Sequence, residues 1–107
     1  MVKPIPTPLQ IRRALVQIAT LALAGAVQLT GKALGEAAAL EPPADIDDVI
    51  VTLLGLTAAD FAQQLASSAT GEPLWVFLPP TEFGNLYIKV AIRTHCVVIS
   101  FHQQVPV

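Results

Sequence analysis

At 107 residues the chain has room for one hydrophobic core and not for two, because a domain of this size buries only a little over ~60% of its unfolded surface. Apolar residues make up 53% and charged residues 13%, about half the usual share of roughly 25%, which excludes a self-repelling disordered tail. A single cysteine, Cys96, cannot close an internal disulfide, so a disulfide-built secreted scaffold is excluded and a reducing, cytoplasmic setting fits.

The net charge of −2 hides a segregation. All eight acids (Glu36, Glu41, Asp45, Asp47, Asp48, Asp60, Glu72 and Glu82) fall between residues 36 and 82, a stretch without Lys or Arg. Residues 1–35 hold Lys3, Arg12, Arg13 and Lys32, and residues 83–107 hold Lys89 and Arg93. Phosphate affinity follows local rather than total charge, so a positive site is compatible with this weakly acidic chain.

From the N-terminus, Thr7-Pro8-Leu9-Gln10 offers a hydroxyl cap, a proline in the first turn and a glutamine placed to close a capping box. Behind it Gln10, Arg13, Gln17 and Thr20 recur at helical spacing, leaving Ile11, Leu15, Ile18 and Ala22 on another side. The stretch also has the basic-then-apolar order of a secretory leader, ending in Ala24-Gly25-Ala26. Gln17 and Thr20 break that run, and it is shorter than the ~20 residues of a membrane span. It is therefore read as a mostly buried amphipathic helix stopped at Gly25, with no membrane contact.

Thr30 caps a second helix from about Gly31 to Leu40, which Glu41-Pro42-Pro43 ends. Asp45 opens a third, with Val49, Ile50, Leu53 and Leu54 as its apolar side and Gly55 closing it. Thr57-Ala58-Ala59-Asp60 has the form of a capping box and predicts a fourth helix, with Phe61 and Leu65 inward and Gln63, Gln64 and Ser67 outward.

After Gly71 the period changes from helical to alternating. Leu74 to Leu78 is apolar throughout and stops at Pro79-Pro80, which predicts a short strand near a sheet margin with Trp75 and Phe77 in the core. Leu86, Ile88, Val90 and Ile92 then alternate with Tyr87, Lys89, Ala91 and Arg93, and Cys96 to His102 forms the next strand. A two-residue loop at Thr94-His95 pairs Arg93 with Cys96. That register stacks Ile92 on Val97, Val90 on Ile99 and Ile88 on Phe101 on the core face, and places Lys89 beside Ser100 and Tyr87 beside His102 on the other. The expected fold is α+β, a single domain over 1–107, helical over about 7–70 with antiparallel strands over about 73–103.

A phenol and an imidazole side by side, with an ammonium one pair away, can supply general acid, general base and phosphate charge. An exposed hairpin also carries polar residues for solvation alone, so the pairing by itself assigns no chemistry. His95 and Cys96 are adjacent, so on a strand they would point to opposite faces, and no second ligand pair has suitable spacing; no metal or cofactor is expected. Cys96 is read as a small apolar residue and His95 as a turn residue.

Gly55-Leu56-Thr57-Ala58-Ala59-Asp60-Phe61, Leu74-Trp75, Asn85-Leu86-Tyr87-Ile88-Lys89-Val90 and Val98-Ile99-Ser100-Phe101 resemble stretches of the motility quorum-sensing regulator (MqsR) toxins of bacterial toxin–antitoxin pairs. Ala24-Gly25-Ala26-Val27 through Ala33-Leu34 extends the resemblance upstream, so that it covers roughly residues 11–103. The resemblance implies a fold like that of the RelE ribonucleases, a curved antiparallel sheet with helices on one face. It also implies a ribosome-independent endoribonuclease that cuts messenger RNA and is silenced by a cognate antitoxin.

By the same resemblance the family's tyrosine falls on Tyr87, its C-terminal lysine on His102, its lysine after Asp-Phe on Gln63 and its glutamine after the tryptophan on Val76, which has no polar atom. Leu29 and Gly31 stand where the family has cations that help bind RNA. RNA cleavage by transesterification needs a base for the 2′-hydroxyl, an acid for the leaving 5′-oxygen and donors for the phosphate oxygens, and no metal. The expected site is therefore Tyr87, His102 and Gln63 for catalysis, with Lys89 and Arg93 binding single-stranded RNA. A second reading on the same fold is a member that has lost catalysis and serves as a protein-binding module. So apolar a domain is further expected to expose an apolar patch that meets an antitoxin or a second copy of the chain.

Overall fold

The computed structural model describes residues 5–105; Lys3 of the N-terminal basic group lies outside them. Helix α1 (Pro8–Leu23) begins with the expected capping box, in which Gln10 N–H donates to Thr7 Oγ1 at 3.2 Å and Thr7 N–H to Gln10 Oε1 at 2.8 Å. It turns Ala14, Ile18 and Ala22 into the core, one helical turn apart. Strand β1 (Val27–Leu29) follows, and Thr30 then caps α2 (Gly31–Ala38) through a 3.1 Å bond from Ala33 N–H. Helix α3 (Ile46–Leu54) opens on a reciprocal Asp45–Asp48 box with both bonds at 2.9 Å, and buries Val49 and Leu53.

The fourth helix expected after Thr57 does not form. Thr57 and Asp60 make the predicted reciprocal contacts, but these close only a single 3-10 turn (Ala58–Asp60), after which the chain runs out as strand β2 (Phe61–Ala66). The cause is tertiary. A helix here would offer only Phe61 and Leu65 to a core, whereas as a strand the segment pairs along β3 (Pro73–Phe77) and sets the Phe61 ring 6.0 Å from Trp75 and 5.9 Å from Phe77. Strand β3 is consequently interior rather than marginal, because β2 takes the edge.

The sheet runs β1-β6-β5-β3-β2, with β5 spanning Gly84–Ile92 and β6 Cys96–Gln103. A two-residue strand, β4 (Pro80–Thr81), folds back on the start of β5. All pairings are antiparallel except β1 with β6, which is parallel, so the sheet is mixed where an antiparallel one was expected. Helix α1 packs on α3 and across β5 and β6, and the core between them is built from Ile18, Val49, Leu53, Phe77, Leu86, Ile88, Val90, Val98 and Phe101. Val76, Ala91 and Ser100 are buried as well but lie outside that cluster; Val76 and Ser100 pair with Lys89 and so share its face.

The β5–β6 hairpin corrects the predicted register at its tip and keeps it at its base. Its loop has three residues, Arg93-Thr94-His95, closed by a 2.9 Å bond from Arg93 N–H to the His95 carbonyl, and the first pair is Ile92 with Cys96. Thr94-His95 lacks the glycine or asparagine that lets a two-residue turn take positive φ, and no described non-glycine residue does so. Cys96 and Val98 therefore turn inward where Val97 and Ile99 were expected. A bulge at Ile99 restores the predicted pairs beyond it: Lys89 with Ser100, Ile88 with Phe101 and Tyr87 with His102.

Gly84 is held at φ 97° at the turn into β5, and a Cβ there would lie 3.2 Å from Gln103 Nε2, which donates to the Phe83 carbonyl. Gly84→Ala is expected to cost about 1–2 kcal/mol, read as a lower urea midpoint at unchanged slope.

Candidate functional site

The face of the sheet turned away from α1 and α3 carries two neighbouring rows of side chains. One runs Gln63, Val76, Lys89, Ser100 across β2, β3, β5 and β6, and the next pairs Tyr87 with His102. The Tyr87 and His102 rings stack with centroids 5.1 Å apart and planes 12° from parallel. His102 Nδ1 lies 2.7 Å from the Gln103 carbonyl oxygen, which can only accept, so Nδ1 carries a proton and Nε2 is the nitrogen left to exchange one.

Of the residues singled out from sequence, Tyr87, His102 and Lys89 come together. Gln63 shares the Lys89 row but stands two strands away, about 10 Å at the ~4.8 Å strand spacing, with Val76 between them at 0% exposure. Arg93 is not part of this group. It sits six residues beyond Tyr87, about 20 Å along the strand at ~3.4 Å per residue, and its guanidinium is engaged by both carboxylate oxygens of Glu72.

Two charged residues that sequence reasoning had not singled out reach the site from α2. Where β1 stops at Leu29, α2 takes over the edge of β6. Thr30 N–H donates to the Val98 carbonyl at 3.0 Å, Thr30 Oγ1 to the Ile99 carbonyl at 3.4 Å, and Phe101 N–H to Glu36 Oε1 at 3.1 Å. Lys32 Nζ bridges Ser100 Oγ and Glu36 Oε2, each at 3.0 Å, and Glu36 Oε2 stands 4.0 Å from His102 Nε2. The four-residue spacing of Lys32 and Glu36 marks a helical ion pair in sequence, but their meeting with residues 100–102 is a tertiary fact. Burial acts to raise the Glu36 carboxyl, yet the Phe101 N–H, the Lys32 ammonium and the charge of His102 together hold it below its ordinary value.

A cavity of about 280 Å³ opens beside this group, lined by Glu36, Ala39, Leu40, Glu41, His102 and Gln103. A larger one, about 430 Å³, lies between α3 and the β4 turn and shares no residue with it. The larger cavity contains Asp60 and Glu82 and no cation, so it does not suit a phosphate. Cys96 is fully buried and its thiol is pushed up to about 12 by desolvation, which makes it inert packing, while His95 sits in the hairpin loop. Among the described residues no group of three His, Cys, Asp or Glu is placed to hold a metal ion. The expected apolar surface is present on α1, where Leu9, Val16 and Leu23 are exposed at seven-residue intervals beside Arg12 and Arg13.

Among the described residues, three helices set against a mixed, open six-stranded sheet, with a polar cluster at the base of its β5–β6 hairpin, define a small α+β protein. The family described as motility quorum-sensing regulator, toxin of MqsA, matches residues 12–103, and the chain belongs to this family. The family is one of toxins of toxin–antitoxin pairs. No curated protein matches the chain in sequence. Among the described residues no helix is long and apolar enough to cross a membrane.

A carboxyl held below its unfolded value adds stability above that value, and the contribution is lost as pH falls through the folded one. Wild type is therefore expected to exceed Glu36→Gln in denaturant midpoint at pH 7, and the difference should shrink as pH falls below the unfolded carboxyl value of about 4.3 and vanish below the lower, folded one.

Proposed function

We propose that this toxin is an endoribonuclease that cuts single-stranded messenger RNA in the cytoplasm by transesterification without a metal. The observation that supports this most directly is the stacked Tyr87–His102 pair on the free sheet face, with Lys89 in the next row. In this reading His102 Nε2 takes the proton of the ribose 2′-hydroxyl, and the 2′-oxygen attacks the adjacent phosphorus. The bond from phosphorus to the 5′-oxygen breaks, and the Tyr87 phenol protonates the leaving oxygen. The products are a 2′,3′-cyclic phosphate and a 5′-hydroxyl, and water returns the proton from imidazole to phenolate.

Lys89 supplies charge to the phosphate oxygens as negative charge builds there. Gln63 offers an amide to the strand as it crosses the row, and Arg93 joins at the hairpin tip by exchanging Glu72 for a phosphate. The antitoxin, or a second copy of the chain, meets the apolar stripe of α1.

The burial of Val76 favours a second reading. An apolar residue at 0% exposure in the middle of the row leaves no polar group between Gln63 and Lys89, as in a member that keeps the fold to bind protein and no longer cuts. Expression in a bacterial host separates the two. A working nuclease arrests growth, and His102→Ala and Tyr87→Phe each relieve the arrest with losses of about 10²–10⁴-fold in cleavage of an RNA oligonucleotide. Lys89→Ala should weaken RNA binding and lower its salt slope by about 0.7 on a single strand. Growth and RNA left intact by the wild type, with cutting gained by Gln63→Lys and Val76→Gln together, would establish the binding reading instead.

A further inference from the structure

We infer that Glu36 is a positioning residue for His102, which makes the proton-transfer group of the hairpin a pair built across two elements. The inference rests on the nuclease reading above. His102 is constrained on three sides: the Gln103 carbonyl holds Nδ1 at 2.7 Å, the Tyr87 ring stacks on the face of the imidazole, and Glu36 Oε2 stands 4.0 Å from Nε2. Glu36 is itself fixed from both ends. Its Oε1 accepts the Phe101 N–H at 3.1 Å and its Oε2 meets Lys32 Nζ at 3.0 Å, which fixes the carboxylate relative to β6.

The 4.0 Å gap is longer than a hydrogen bond, so the carboxylate acts on the imidazole through charge. That action has the right timing. A general base must start without a proton on Nε2, and in that state the neutral ring gains little from the carboxylate. Once the 2′-hydroxyl proton has moved to Nε2 the ring is a cation facing an anion, so the attraction grows along the reaction coordinate and lowers the barrier rather than the ground state. The charged and titratable groups around the ring are Tyr87 from β5, Lys32 and Glu36 from α2, and Glu41, which lines the same cavity; Lys89 belongs to the neighbouring row. The cavity beside Glu36 and His102 leaves this edge of the imidazole open to a ribose. Both side chains are partly exposed, 22% for Glu36 and 31% for His102, so solvent weakens the effect without abolishing it.

The test uses the full chain and two readouts. In cleavage of a single-stranded RNA oligonucleotide, Glu36→Gln, whose amide oxygen still accepts the Phe101 N–H, is expected to lower kcat about tenfold with KM unchanged. Glu36→Asp should recover part of the loss, and Glu36→Gln should cost nothing further in a His102→Ala background. Without RNA, the Glu36 carboxyl is followed by ¹³C NMR during an acid titration, and His102→Ala is expected to move its midpoint upward because one of the charges holding it down has gone. A Glu36→Gln enzyme with wild-type kcat, losses that multiply in the double variant, or a Glu36 midpoint indifferent to His102→Ala would overturn the inference while the nuclease reading stands. A wild type that cuts no RNA although its Glu36 midpoint responds to His102→Ala would overturn the nuclease reading and with it the positioning role, leaving a structural ion pair.

Discussion

Beyond Val98 the outer edge of β6 has no strand beside it among the described residues, because β1 ends at Leu29, and a sheet edge left with unmet N–H and C=O groups is costly when it lies against a core. Helix α2 and its cap meet that demand with backbone and side-chain groups. Thr30 serves the Val98 and Ile99 carbonyls through its backbone and hydroxyl, and Glu36 serves the Phe101 N–H. The position of α2 is thus fixed by hydrogen bonding as well as by Ala33 and Ala37 in the core, and the same requirement brings Glu36 and Lys32 to the end of β6 that carries Ser100 and His102. The chemistry of the free face therefore depends on how an edge is closed.

Folding also rearranges the charge pattern of the chain. In sequence the acids occupy the middle and the cations the two ends, but Glu36 joins Lys32 and Glu72 joins Arg93, so part of each basic end is neutralised by the acidic middle. Arg12 and Arg13 lie exposed on α1, on the side of the sheet opposite Tyr87 and His102, and Lys89 remains among the side chains of the free face. A nucleic acid on that face would meet a modest positive field, and its binding would depend on shape and specific hydrogen bonds as much as on counterion release.

What the sequence disclosed was largely local. The Thr7–Gln10 box, the Thr30 cap, Asp45 and Gly55 mark three helices within a residue or two of where they form, because a cap is chemistry over four residues. Thr57–Asp60 shows the limit of that rule. The motif is satisfied in the structure, but whether the chain continues as helix or strand is decided by β3, a dozen residues on, and by the aromatic contacts of Phe61. Strand β1 escaped notice because three residues between two helices carry no readable period. Tyr87 and His102 were legible as a pair because alternation fixes which residues share a face, while Glu36 was not, since nothing near it in the chain announces a partner at position 102.

The hairpin that carries the pair contains two irregularities of one residue each, a loop one longer than the alternation implied and a bulge at Ile99 that takes up the difference. Their sum is zero at Lys89 and Ser100, so parity errors are confined to residues 90–99 and the base of the hairpin is insulated from its tip. Insertions or deletions at Arg93-Thr94-His95 are then accommodated by gaining or losing the bulge, with no change in which side chains meet at the base. The tip can thus change in length by a residue while Tyr87 and His102 stay face to face.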